Sequence, residues 1–149
     1  SVGGTGIMTH SRLMYAFYKS LKIKNIFHYS SFYHRYEFVN ENNLYQFTAQ
    51  DLEDRNQITE CLVSEKQGYL NMQIHTKAIK QMADEIGANY YFSDCIIFPK
   101  DPEARKARDL THMSGYEQNG IMQFFLQKYE KNDQSISLTN HRMKDPNFI

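Results

Sequence analysis

A helix followed by a long apolar stretch constrains this chain more than any other feature. Ile79, Met82 and Ala83 recur at helical spacing and form one apolar face, while charged residues fall on the opposite face. Gly87 stands where glycine commonly ends a helix. The run from Asn89 to Phe98 is too continuously apolar for a half-exposed strand. It predicts a central strand that is covered on both faces.

The segment before this helix completes a larger unit. Ile58 to Ser64 is predicted to be a strand, and Glu65 to Gly68 is predicted to be the turn that leads into the helix. Two strands joined by a helix are expected to be parallel, with a right-handed crossover. The turn would then present backbone amides and the positive end of the helix dipole at the edge of the sheet. This arrangement is suited to an anionic phosphate group.

The spacing of this unit resembles the acyl-CoA-binding core of the GNAT N-acyltransferases. Four stretches within roughly residues 58–130 carry the resemblance: Leu62-Val63, Glu65 to Gly68, Gly87-Ala88 and Leu110 to Gly115-Tyr116. The resemblance implies an α/β (α+β) fold of one domain, with a mixed, mainly antiparallel sheet flanked by helices. It also implies an acyl-CoA-dependent N-acyltransferase that uses acetyl-CoA or another acyl-CoA. The acceptor would be an amine of a small molecule or a protein.

The resemblance assigns roles to individual residues. Leu62 and Val63 would bind the thioester carbonyl, and Glu60 would deprotonate the acceptor amine. His112 would protonate the leaving thiolate, because Thr111 occupies the position where the family commonly has a tyrosine. The pyrophosphate would contact the residues of the turn and of the helix start: Gln67, Gly68, Tyr69, Leu70, Asn71 and Met72.

Two alternatives stay open. Leu70 and Met72 replace the glycines of the family's turn, and this departure favours a catalytically inactive binding or structural module. The less favoured alternative is a 2H-type phosphoesterase, which places two His-x-Ser motifs on strands that face one cleft. The two motifs here are His28-Tyr29-Ser30 and His112-Met113-Ser114.

Composition restricts the expected binding partners and the expected cellular compartment. Basic and acidic residues number 17 each, so we expect neither nucleic acid nor an anionic membrane as a partner. The sequence has no apolar run near the ~20 residues of a membrane span and no signal-peptide pattern, which predicts a cytoplasmic protein. Cys61 and Cys95 are expected to be small buried side chains. No metal site is predicted, since His28, His34 and Glu37 lack a zinc-binding spacing. Self-association into a homo-oligomer is left open.

The remaining elements are predicted more simply. Residues 1–7 are expected to be a flexible N-terminus or a cloning remnant, before a single domain over residues 8–149. The predicted elements are a helix from Thr9 or Ser11 to about Leu21, a strand at Ile26 to Ser31, a hairpin of Tyr33 to Asn40 with Leu44 to Thr48, a helix that runs into Gly115-Tyr116, and a weak strand at Ser135 to Thr139. The segment Ile121 to Tyr129 is ambiguous between helix and strand, and the resemblance favours a strand. The abundance of Tyr, Asn, Lys and Ile suggests the AT-rich genome of a low-GC bacterium or a phage.

Overall fold

The computed structural model describes residues 6–30, 35–48, 65–94 and 114–138. Its elements are α1 (Ile7–Phe17), a 3-10 turn (Tyr18–Ser20), β1 (Asn25–Tyr29), β2 (Arg35–Asn40), β3 (Asn43–Thr48), α2 (Glu65–Glu85), β4 (Asn89–Ser93) and α3 (Gly115–Glu130). The chain is therefore a mixed α/β protein, as the sequence predicts.

The described strands form two separate pairs. β1 and β4 are parallel, with Asn25 opposite Asn89 and Tyr29 opposite Ser93. β2 and β3 form the predicted antiparallel hairpin. Within the described part of the chain, these pairs are not joined into the single, mainly antiparallel sheet that we expected. The predicted parallel partner of β4 was the segment 58–64, which lies outside the described residues, and the observed partner is β1.

β4 is covered on both faces, as predicted, but among the described strands it pairs only with β1, so its central position stays a prediction. Because side chains alternate along a strand, Tyr90 and Phe92 point to one side and Tyr91 to the other. Tyr90 and Phe92 are 0% and 1% exposed and pack in the core formed with α1 and α2. Tyr91 stacks on Phe27 of β1 at 5.2 Å and meets Tyr129 of α3 edge-on at 5.7 Å. Helices therefore cover the parallel pair from both sides.

α2 confirms the predicted apolar face and the predicted end, but not the predicted beginning. Ile79, Met82 and Ala83 are buried in the core, and Gly87 ends the helix with a φ of 69°. The amides of Gly87 and Ala88 bond back to carbonyls of the last turn, in the pattern that favours glycine at this position. The predicted turn at Glu65 to Gly68 is wrong, because α2 already begins at Glu65. A glycine inside a helix costs only ~1 kcal/mol relative to alanine, so it need not mark a turn.

α3 corrects two further predictions. A helix was expected to end near Gly115-Tyr116, and the resemblance favoured a strand over a helix at Ile121 to Tyr129, whereas the structure has one helix from Gly115 to Glu130. Its start is fixed by Ser114, whose Oγ accepts from the Glu117 amide at 3.3 Å. Glu117 in turn accepts from the Ser114 amide at 2.9 Å, which completes a capping box. The weak strand predicted from Ser135 onward is not found over the described residues 135–138.

α1 begins earlier than predicted. The helix starts at Ile7, with Gly6 as its N-cap, rather than at Thr9 or Ser11. Ile7 is 0% exposed and belongs to the core, so the expectation of a flexible terminus is wrong for this residue. None of the described helices combines the length and the apolar character that are needed to cross a membrane.

Candidate functional site

α1 and α2 lie side by side and run in the same direction. Ser11 contacts His75, and further along both helices the Tyr18 hydroxyl donates to Glu85 at 2.9 Å. Residue numbers increase together along the contact, so the helices are parallel. This alignment brings polar side chains from two distant parts of the sequence into one buried region.

Ser11 and His75 form the closest pair of reactive groups in this region. Ser11 Oγ lies 2.7 Å from His75 Nδ1 and 3.0 Å from the carbonyl oxygen of Met8. Ser11 is buried, His75 is half-buried, and Ser11 lines a groove of about 390 Å³ between the two helices. The single hydroxyl proton goes either to His75 or to Met8, and that choice decides which tautomer His75 adopts.

Glu37, on β2, is the carboxylate whose charge acts on His75. Glu37 is buried and accepts from Arg12 Nε at 2.8 Å, so the hairpin is held to α1 by an ion pair. Burial lowers the pKa of His75, while the negative charge of Glu37 opposes this shift. Glu37 therefore acts on His75 through its charge, since among the described contacts its hydrogen bonds go to Arg12. Neutral His75 is able to accept a proton near neutral pH.

A second polar group joins α1, β1 and β4. His10 Nδ1 lies 3.0 Å from His28 Nε2, and the other ring nitrogen of His28 hydrogen-bonds to the Tyr90 hydroxyl. Each of these two hydrogen bonds contains one proton. Either Tyr90 donates to His28 and His28 donates to His10, or His10 donates to His28 and His28 donates to Tyr90. Burial, with a smaller contribution from the charge of His10, lowers the pKa of His28 to about 3. Burial also lowers the pKa of His10 and raises the pKa of Tyr90. All three groups are therefore neutral at pH 7.

Both residues predicted to be catalytic, Glu60 and His112, lie outside the described residues. Leu62 and Val63, which were assigned to the thioester, also lie there, as do Cys61 and Cys95. The assignments of Glu60 and His112 to proton transfer, and of Leu62 and Val63 to the thioester, stay predictions.

The six residues assigned to the pyrophosphate all lie inside α2. From Tyr69 onward, their amides bond to carbonyls four residues earlier, as in any helix, so they form no phosphate-binding loop. Met72 is 1% exposed and packs in the core. Gln67 Nε2 donates to Asn71 Oδ1 at 2.8 Å along the helix surface. Their assignment to coenzyme A stays a prediction, but the loop geometry on which it depended is wrong.

The two His-x-Ser motifs differ in their surroundings. His28 and Ser30 lie on or just after β1 and are buried. Ser114 caps α3, whereas the phosphoesterase hypothesis needs its motif on a strand. His112 lies outside the described residues. Nowhere in the described ranges do three His, Cys, Asp or Glu side chains come close enough to hold a metal ion.

The sequence analysis did not select Ser11, His75, His10 or Tyr90 as functional candidates. Ser11 was considered only as a helix cap, and His75 has no partner within a local motif. Their contact depends on the parallel packing of α1 on α2, across 64 residues of sequence. The only local signal was a run of four polar residues, Thr9 to Arg12, between the apolar ends of α1.

Comparison with known proteins assigns no family to the chain. No protein-family model, curated protein or solved structure matches it. What this protein does is therefore inferred from its own contacts.

Proposed function

We propose that this protein catalyses acyl transfer to an amine, with Ser11 as the nucleophile and His75 as its base. The observation that carries the proposal is the 2.7 Å contact between Ser11 Oγ and His75 Nδ1. A serine is a weak nucleophile unless an adjacent base removes its proton, and this distance is within direct transfer range. Acyl-CoA as the donor is taken from the resemblance in spacing of the region 58–130 to GNAT acyltransferases, although the loop expected for its pyrophosphate is part of α2.

The proposed reaction has two steps. In the first, Ser11 Oγ attacks the thioester carbonyl and its proton passes to His75 Nδ1. The carbon–sulfur bond then breaks, and the protonated His75 gives the proton to the leaving thiolate. In the second step, the acceptor amine attacks the acyl-serine and the amide forms, while the hydroxyl of Ser11 recovers a proton through His75.

The surroundings of the pair support this role. The groove beside Ser11 is also lined by Arg12 and Gln81, which could contact polar parts of a substrate. The charge of Glu37 favours the protonated form of His75, which develops during the reaction. The ion pair with Arg12 keeps the buried carboxylate in place, since a buried charge without a partner is costly.

The test is trapping of an acyl-enzyme with acetyl-CoA and with p-nitrophenyl acetate, followed by peptide mass spectrometry. We expect acetyl on Ser11, and we expect Ser11→Ala to lower turnover at least ~100-fold, the usual contribution of such a base–nucleophile pair. Ser20→Ala is the matched control, because Ser20 Oγ donates to the Phe17 carbonyl three residues earlier and no histidine is among its described contacts. Equal turnover in both variants would refute the proposal.

A second candidate function is a binding or structural module without catalysis. It is favoured by the 3.0 Å bond in which Ser11 Oγ donates to the Met8 carbonyl. If the hydroxyl proton stays there, His75 must present Nδ1–H and cannot act as the base. Nitrogen-15 NMR of the imidazole separates the two candidates: a proton on Nε2 supports acyl transfer, and a proton on Nδ1 supports the module.

A further inference from the structure

The ion pair between Arg12 and Glu37 uses only one oxygen of the carboxylate. Arg12 Nε and Nη2 both lie 2.8 Å from Oε1 of Glu37. The other oxygen, Oε2, has no hydrogen-bond partner among the described residues. The side chain of Glu37 is only 5% exposed, so water solvates little of its charge. A further donor at Oε2 would make a charge-assisted hydrogen bond, which is stronger than a neutral one.

His75 has a ring nitrogen that could supply this donor. Its Nδ1 lies 2.7 Å from Ser11 Oγ, while its Nε2 has no partner in the described part of the chain. A neutral imidazole has one proton, so the proton is on Nε2 whenever Nδ1 accepts from Ser11. The form of His75 that can act as a base is therefore the form that has an N–H group to donate from Nε2.

Two observations bring Glu37 to the region of this ring. Arg12 follows Ser11 in α1, so the residue that holds Glu37 is next in sequence to the residue that contacts His75. The negative charge of Glu37 also acts on His75 and favours its protonated form. The described contacts include no hydrogen bond between Glu37 and His75. Catalytic hydrogen bonds are often long in an enzyme without substrate, and they shorten when substrate binds.

We propose that Glu37 is the positioning residue of His75, with Oε2 accepting from Nε2–H while Oε1 stays on Arg12. The inference rests on the proposed acyl transfer and describes how the same pair is controlled. The hydrogen bond keeps Nδ1 without a proton, so that Nδ1 can take the proton of Ser11 Oγ. During the reaction the imidazolium ion keeps its proton on Nε2, and Glu37 itself takes up no proton.

The hairpin of β2 and β3 is then part of the site, because Glu37 is a residue of β2. Without Glu37, nothing among the described contacts of His75 holds its proton on Nε2. The Ser11 hydroxyl can then donate to the Met8 carbonyl while His75 donates from Nδ1, and in that state His75 is not a base. The position of the hairpin on α1 therefore selects between an active and an inactive pair.

The experiment is nitrogen-15 NMR of the His75 ring at pH 8, in the full chain, with Glu37→Gln as the test variant. In the wild type we expect the proton on Nε2. In Glu37→Gln we expect it on Nδ1, because the amide oxygen stays on Arg12 and the remaining NH₂ group can only donate. Asp84→Asn is the matched control, since Asp84 is also a carboxylate bonded to a cation, Lys80, but is 56% exposed. This control should keep the wild-type signals.

Activity gives the second measurement. With p-nitrophenyl acetate, kcat is expected to fall at least ~100-fold in Glu37→Gln with KM little changed, because the wrong tautomer removes the base and not the binding. Asp84→Asn should keep both constants. Melting temperatures from circular dichroism show whether the variants are folded, and if Glu37→Gln is unfolded the wild-type ring signals decide alone.

The outcomes separate this inference from acyl transfer itself. A proton on Nε2 in both the wild type and Glu37→Gln would overturn the role of Glu37 and leave Ser11 and His75 as proposed. A change of tautomer in Glu37→Gln without any acetyl on Ser11 of the wild type would support the role of Glu37 and overturn acyl transfer. A proton on Nδ1 in the wild type would overturn both.

Discussion

Acidification is expected to destabilise this protein through one buried ring, that of His28. The side chain is 8% exposed, and the titratable side chains bonded to it in the described part of the chain are His10 from α1 and Tyr90 from β4. Neither neighbour supplies a negative charge to stabilise an imidazolium ion. The folded protein therefore resists protonation of His28, whereas the unfolded chain accepts the proton freely.

The size of the effect follows from the two pKa values. The pKa of His28 is about 3 in the folded protein, against an ordinary value of 6.5. Between these values the unfolded state binds more protons, so stability increases as pH rises through this window and is lost as pH falls. Going from pH 8 to pH 5, His28 alone should lower the free energy of unfolding by ~2 kcal/mol.

Urea unfolding at pH 8 and pH 5 measures this quantity, with His28→Gln as the reference variant. Glutamine keeps a hydrogen-bonding group but does not titrate, while His10 and His75 titrate in both proteins and largely cancel in the comparison. We expect the wild type to lose ~2 kcal/mol more than the variant. Equal losses would mean that His28 takes up a proton in the folded state, and would refute the burial argument.

Two other substitutions test a buried hydroxyl and a helix cap. Their effect on stability is measured by the urea midpoint of unfolding. Thr76 is 0% exposed, and its hydroxyl has no hydrogen-bond partner among the described residues, so Thr76→Val should stabilise the protein by ~1 kcal/mol. Thr9 is the control, because it is 3% exposed but does have a partner. Thr9→Val should therefore destabilise the protein. Ser114→Ala removes the cap of α3 and should cost ~1 kcal/mol, whereas an equal loss in the exposed control Ser20→Ala would argue against a specific capping effect.

The elements with strong local patterns could be predicted from the sequence. The apolar face of α2 and its end at Gly87 are encoded within a few residues, and so is the hairpin of β2 and β3. Two of the errors arose where a glycine was taken as a boundary. Gly68 lies inside α2, and Gly115 begins α3 rather than ending a helix. The signal for α3 was present, because Ser114 and Glu117 have the spacing of a capping box.

The candidate site could not be predicted in the same way. Its polar pairs join residues that are far apart in sequence, such as His28 with Tyr90 and Ser11 with His75. Their contact depends on which strand pairs with which, and no local spacing encodes that choice. The sequence analysis chose a different parallel partner for β4, so His28 was never placed beside Tyr90.

The parallel pairing of β1 with β4 also delays folding while the chain is being synthesised. Each residue pair between these strands spans 64 positions, as Asn25 with Asn89 does. The hairpin of β2 and β3 is local, and such hairpins form within about 1–10 μs. At about 5–20 residues per second, a ribosome needs ~3–13 s to add the intervening segment. For that time His28 is without Tyr90 and Phe92, the β4 side chains that it contacts, so the rate of synthesis sets the earliest moment at which these contacts can form.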